Sequence, residues 1–209
     1  MIVSLTGFMG CGKSSIGRRL SELLCCRFMD LDEEIEKKEG RSIAEIFAAD
    51  GEEAFRDIEE ESLGIILSGE QRCLGRSLRS PHHCASLVVP PLTCRGWHGP
   101  RTPHVPRTST ILSLGGGTIM RKGCAEMVRE RTLCIYLKAS VDTLVKNLEG
   151  ETDGRPMLAS ERPLRERIAE LMSLRSSTYE STAHIIIDTD GKDIDEIVAI
   201  IMAAIPCRQ

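Results

Sequence analysis

The sequence predicts an α/β fold: a central, mostly five-stranded parallel sheet with helices on both faces. Three observations carry this. Short apolar strands alternate with helical stretches along most of the 209 residues. The first strand, Ile2-Val3-Ser4-Leu5, runs into a glycine-rich loop and then a helix striped by Ile16, Leu20, Leu23 and Leu24. At 41% hydrophobic residues the chain can bury one substantial core, aliphatic because aromatics make up only 3%. A single domain over 1–209 is therefore expected.

The remaining elements follow in order. Arg27-Phe28-Met29-Asp30 reads as the second strand, ending in the pair Asp30/Asp32. A charged helix runs from there to Gly40, a plausible C-terminal stop. Ser42-Ile43-Ala44-Glu45 is a capping box opening a short helix, and Asp50-Gly51-Glu52-Glu53 opens another in the same way. In that helix Ala54, Phe55, Ile58 and Ile65 form the expected apolar stripe, with Arg56 off it beside Glu59 and Glu60. Ile111–Leu114 is a strand entering Gly115-Gly116-Gly117, and Leu133–Leu137 is another. Val141–Leu148 is helical, a polar Gly- and Pro-bearing loop spans 149–162, and a long helix runs from about Glu161 to Tyr179. His184–Asp188 is the last strand, and Ile194, Ile197, Val198, Ile201 and Ile205 stripe the final helix.

Between 69 and 110 the pattern collapses. This stretch holds six of the nine prolines, four of the five histidines and the only tryptophan, with no sustained period. Residues 71–110 carry six Arg but no Lys, Asp or Glu, so they are +6 inside a chain of net charge −4. The segment reads as an irregular insertion, either a surface loop or a stretch not under selection, whose deletion is expected to leave a folded, active protein. Its Cys73, His82, His83, Cys84, Cys94 and His98 fit no zinc spacing. The nine cysteines include no C-x-x-C pair and read as reduced thiols. The acidic balance argues against nucleic acid as the main partner. No run is long and apolar enough to span a membrane and no signal peptide precedes the first strand, so a cytoplasmic chain is expected, as a monomer.

Gly7-Phe8-Met9-Gly10-Cys11-Gly12-Lys13-Ser14 fits G-x-x-x-x-G-K-[ST] in the strand–loop–helix context that a phosphate-binding loop requires. Its backbone N–H groups would turn around the phosphates at a helix N-terminus, Lys13 would reach the β/γ-phosphates and Ser14 would sit on Mg²⁺. A nucleoside triphosphate is the expected ligand. Asp30 and Asp32 are spaced for one to orient metal-bound water while the other meets a substrate hydroxyl; an N-cap plus a solvated aspartate is the plain alternative. The three glycines would let a small ligand approach the backbone, or merely form a tight turn. Arg175 continues the apolar stripe of Leu164, Ile168, Leu171 and Met172, so its guanidinium needs an anion, from the protein or from a ligand. Arg56 reads by default as a surface ion pair with Glu59 or Glu60, worth tenths of a kcal/mol. Arg155, in Gly154-Arg155-Pro156, is placed to close over a nucleotide or to be merely solvated.

Taken together, the chain resembles the shikimate kinases, P-loop folds of the nucleoside-monophosphate-kinase-like group. The resemblance runs through Gly7–Ser15, Asp30-Leu31-Asp32, Arg41–Phe47, Phe55–Glu59, Gly115–Gly117, Arg155-Pro156-Met157-Leu158 and Arg175 with Tyr179. It implies a three-layer P-loop kinase fold and transfer of the ATP γ-phosphate to the 3-hydroxyl of shikimate. It implies nucleotide contacts at Gly10, Cys11, Gly12, Lys13, Ser14, Ser15 and Arg155, with Mg²⁺ at Ser14 and Asp30. Asp32 would bind the ring hydroxyls and, with Lys13 and the lid arginine Arg155, serve catalysis. Arg56 and Arg175 would grip the shikimate carboxylate, the Gly116 N–H would contact the substrate, and Phe47 and Phe55 would line its pocket. The arginine that stacks on adenine in the family is replaced by Val145-Lys146-Asn147-Leu148, and Lys192 stands as a nucleotide contact after the last strand. A gluconate or nucleoside monophosphate kinase, and a P-loop module without catalysis, are the rival readings.

Overall fold

A computed structural model describes residues 1–69, 110–149 and 163–205. Five strands form one parallel sheet: β1 (Ile2–Thr6), β2 (Arg27–Asp30), β3 (Thr110–Ser113), β4 (Leu133–Lys138) and β5 (Ile185–Asp188), in the order β2-β3-β1-β4-β5. The register pairs Leu5 with Ser113 on one side and with Ile135 on the other, and Asp30 with Ser113. The carboxyl ends of β1, β2 and β3 therefore lie level. In a sheet whose chain order reverses around β1, that edge is where ligands bind.

Among the described residues, seven helices surround the sheet: α1 (Lys13–Leu23), α2 (Leu31–Glu39), α3 (Ile43–Ser68), α4 (Lys122–Arg131), α5 (Val141–Leu148), α6 (Leu164–Thr182) and α7 (Ile194–Ala204). Alternate strand residues face opposite sides. Val3, Leu5, Ile111, Ile135, Leu137 and Ile187 join Ile16 and Leu20 of α1 and Ile197, Val198 and Ile201 of α7 in one core. Leu112, Cys134 and Tyr136 join Leu31, Ile35, Phe55, Leu63 and Tyr179 in the other. Helix α6 serves both, with Ile168 and Leu171 in the first and Tyr179 in the second. No helix among the described residues is long and apolar enough to cross a membrane. The five described cysteines are free thiols.

Several expectations shift. The two helices predicted from Ser42 onward are both present and are labelled together as α3; they meet in a kink at Gly51, whose φ of 85° and ψ of 178° are not helical. The Ser42/Glu45 capping box is present at its start. The buried stripe of α3 is Ile46, Phe55, Glu59, Ser62, Leu63 and Ile66, rotated from the predicted one because Glu59 turns inward. Ile194, predicted on the buried stripe of α7, is 44% exposed. Helix α4 and the 3-10 turn at Thr118–Met120 were not predicted; α4 has no side-chain cap at its N-terminus and buries only Cys124 and Val128. The insertion residues 70–109, Arg155 and residues 150–162 of the expected lid lie outside the described residues.

Candidate active site

Two adjoining cavities open at the carboxyl edge of the sheet. The first, about 490 Å³, is polar and is lined by Gly10, Gly12, Lys13, Ser14, Ser15, Asp30, Ser113 and Asn147. The second, about 380 Å³, is lined by Ile43, Phe47, Phe55, Arg56, Glu59, Gly117 and Arg175. Met9, Asp32, Gly115 and Gly116 line both, so the two form one cleft with a shared waist.

The phosphate loop builds the first cavity. Gly12, in the left-handed region at φ 86°, is the N-cap of α1, so the chain enters the helix with Lys13 as its first residue. In a loop this tight a side chain at that φ would be strained. Lys13 is 9% exposed, and its Nζ donates to the carbonyls of Gly7 (3.0 Å) and Phe8 (2.8 Å), folded back onto its own loop. Ser14 Oγ donates to Asp30 Oδ2 at 2.6 Å and lies 3.5 Å from Ser113 Oγ. Three oxygen-bearing side chains from the ends of β2, β3 and the loop thus meet at one point. Cys11 is buried, with Sγ 3.9 Å from Lys13 Nζ, and lines neither cavity. Asn147, from α5, donates to the Gly10 carbonyl at 2.9 Å. Lys192 lines neither cavity; its ammonium donates to the Asp190 carbonyl at 3.4 Å.

Asp30 and Asp32 are placed differently. Asp30 caps α2 by accepting from the Asp32 N–H at 3.1 Å while also taking the Ser14 hydroxyl. Asp32 stands at the waist. Burial, then the like charges of Asp30 and Glu59, push its carboxyl up to about 7, against the pull of Lys13 and Arg56. Its nearness to Glu59 shows at Gly115, where a side-chain carbon would lie 2.8 Å from Asp32 Oδ1 and 3.0 Å from Glu59 Oε1.

The second cavity brings Arg56, Arg175, Phe47, Phe55 and Gly116 together as the resemblance implies. Phe47 and Phe55 pack with ring centroids 4.8 Å apart. Arg56 does make an i,i+3 ion pair with Glu59, at 2.7 Å, and a second with Glu52 at 3.3 Å. The surface reading fails because the pair is inside: the Glu59 side chain is 1% exposed and that of Arg56 11%. Glu59 also accepts from the Thr118 hydroxyl. Arg175 is 7% exposed and donates to the Gly116 carbonyl at 3.4 Å; among the described residues no carboxylate pairs with it. Position 117 is glycine because a side-chain carbon there would sit 2.5 Å from Arg56 Nη2. Met9, Ser113, Asn147 and Glu59 are lining residues that the sequence did not mark; for Met9 and Ser113 the usable signal was their place at the ends of β1 and β3.

The family model for shikimate kinase matches residues 9–73 and 104–206. The chain belongs to the shikimate kinase family. A shikimate kinase from Dictyoglomus turgidum is 38% identical over 197 residues, covering 93% of this chain and 91% of that protein. One from Thermus thermophilus is 36% identical over 196 residues, covering 94% and 85%. The solved shikimate kinase from Acinetobacter baumannii in complex with shikimate is 26% identical with a TM-score of 0.75, covering 98% of this chain and 92% of that one. The shikimate kinase structure from Aquifex aeolicus, with a TM-score of 0.66 and 24% identity over 98% and 95% of the two chains, shares the fold. The chain is accordingly a kinase that uses ATP to phosphorylate shikimate, a step of aromatic amino acid biosynthesis. The family match breaks between residues 73 and 104, inside the stretch whose sequence pattern collapses.

Proposed function

We propose that shikimate sits in the second cavity with its 3-hydroxyl at the waist, facing the triphosphate of ATP in the first. The observation that carries this is the shared lining: Asp32 and Gly116 touch both cavities, while Arg56 and Arg175 lie only in the second and Lys13 and Ser14 only in the first. An anionic, hydroxylated acceptor suits two guanidiniums of which one, Arg175, lacks a carboxylate among the described residues. Phe47 and Phe55 supply the apolar wall for the ring, and Gly116 lets the backbone approach it.

The reaction is an in-line displacement, for which positioning and charge stabilisation are the protein's main contributions. The 3-hydroxyl oxygen bonds to the γ-phosphorus as the bond to the β,γ-bridging oxygen breaks, and ADP leaves. Asp32 accepts the hydroxyl proton; a carboxylate held near 7 is a suitable base at neutral pH. Lys13 exchanges its two loop carbonyls for phosphoryl oxygens and offsets the charge that spreads over them. Arg155, from the lid loop of 149–162, adds a second positive charge there. Gly10, Cys11, Gly12 and Ser15 offer backbone N–H groups to the β-phosphate. Ser14 and Asp30, an oxygen-only pair 2.6 Å apart, fit Mg²⁺, which binds through few protein oxygens together with substrate phosphates. Held there, the ion would supply positive charge to offset that of the ATP phosphates. Lys192 remains a candidate for the adenine end only through movement of the segment after β5. The chain acts as a single-domain monomer in the cytoplasm, with no nucleic-acid or membrane partner, and stays folded and active without residues 70–109.

A coupled ADP-release assay with shikimate, gluconate and AMP in parallel tests the reading. Turnover with shikimate alone is expected. ATP binding without turnover on any of the three would instead make the chain a binding module.

A further inference from the structure

Tyr179 is not assigned a role by any of the preceding chemistry, yet it bonds to Gly116, which lines both cavities. Its ring is fully buried and stacks on Tyr136, with centroids 5.1 Å apart and 20° between planes. Its hydroxyl donates to the Gly116 carbonyl, the same oxygen that Arg175 Nη1 reaches at 3.4 Å. Arg175 and Tyr179 are four residues apart on α6 and lie on the same face, which is why both can serve one acceptor. The Arg175 contact is at the long limit for an N–H···O bond, so the tyrosine is the firmer of the two donors.

We propose that Tyr179 is a positioning residue of the acceptor site, holding the Gly116 carbonyl so that Arg175 can leave it for the carboxylate of shikimate. The inference rests on the assignment of Arg175 and Gly116 to that substrate. A partly buried carbonyl that loses its only donor is costly, so a site in which Arg175 were that donor would bind a carboxylate against this penalty. Tyr179 removes the conflict. A planar trans peptide also points the Gly117 N–H opposite to the Gly116 carbonyl. Anchoring the carbonyl on α6 therefore fixes that N–H away from α6, in a residue that lines the second cavity.

Tyr179→Phe keeps the stacked ring and removes only the hydroxyl. The KM for shikimate is expected to rise about tenfold, the size of one unpaired partly buried carbonyl. The KM for ATP and kcat are expected to stay within about twofold, because Lys13 and Ser14 are held by groups other than Tyr179. In an Arg175→Met background the same change is expected to add less than about twofold, since the penalty acts through the guanidinium. An unchanged shikimate KM, a parallel rise in the ATP KM, or full additivity with Arg175→Met overturns the proposal. A Tyr179→Phe chain that fails to fold also overturns it, by making the hydroxyl structural. Wild-type protein that leaves shikimate untouched removes the underlying assignment as well; wild-type turnover with an unaltered Tyr179→Phe KM removes this inference alone.

Discussion

Arg56 and Glu59 form an ion pair of 2.7 Å inside α3, with side chains 11% and 1% exposed. The carboxylate has a second donor in Thr118 and the guanidinium a second acceptor in Glu52 at 3.3 Å. The arginine proposed to bind the substrate carboxylate is thus oriented by a buried anion, and the same anion raises the charge density around Asp32.

Breaking that pair from the acidic side leaves a buried guanidinium half-compensated. Glu59→Gln is expected to lose about 2–3 kcal/mol, below the usual cost of a broken buried pair because Glu52 remains. Urea unfolding measures this. The KM for shikimate should rise while that for ATP holds. A variant as stable as the wild type would show that Arg56 needs no buried partner.

Asp32 makes the ligand-free protein sensitive to pH. Its folded pKa of about 7 lies above the ordinary value of 3.8, so folding takes up a proton between the two. This group's contribution is most favourable below about pH 4 and declines as pH rises through 7. Asp32→Asn removes the ionisable group, so its Tm at pH 8 should exceed that of the wild type by on the order of 5 °C. The two should converge as pH is lowered toward 4, and the variant should be catalytically inert. Parallel Tm curves from pH 4 to 8 would contradict the shift. Stability gained with activity lost is the signature of a group strained for function.

How far the sequence led depends on what kind of force placed each residue. The positions of Lys13 and Ser14 were legible because a fixed spacing between a strand and a helix dictates them. Arg175 was legible because a charge on an apolar stripe has few explanations. Glu59 was not: a carboxylate on an acidic helix carries no mark of being inside, and only its partners Arg56 and Thr118, the latter 59 residues away, draw it in. Helix α4 was missed for a local reason, since Arg121 at its N-cap makes no capping bond. That end is instead fastened by Arg121 to Asp57 at 2.6 Å and to Glu53 at 3.0 Å on α3, contacts that sequence period does not record.

The glycine turn is constrained sterically by Arg56. Gly117→Ala would place a carbon 2.5 Å from Arg56 Nη2 and 2.7 Å from Nη1, forcing the guanidinium off its pair with Glu59. The displaced group is the one expected to hold the substrate carboxylate. The shikimate KM should rise at least about tenfold, with the ATP KM little changed. Equal loss of both would mean that the whole turn had moved, the phosphate loop with it.

Residues 74–103 lie between the two stretches that match the family, and the described lining of both cavities comes from outside them. Helix α3 ends on its own terms at Gly69, in the left-handed region at φ 75°. Strand β3 is paired on both sides, to β1 and to β2, from Thr110 onward. The described residues alone already fill two extensive cores. A chain with 70–109 replaced by a short Gly/Ser linker should therefore express, fold cooperatively and keep kcat and both KM values within about threefold. The entropy of closing a loop changes only slowly with its length, so no large shift in Tm is expected in either direction. Loss of the folded protein on deletion would mean that the segment covers apolar surface, and the single-domain reading would have to include it.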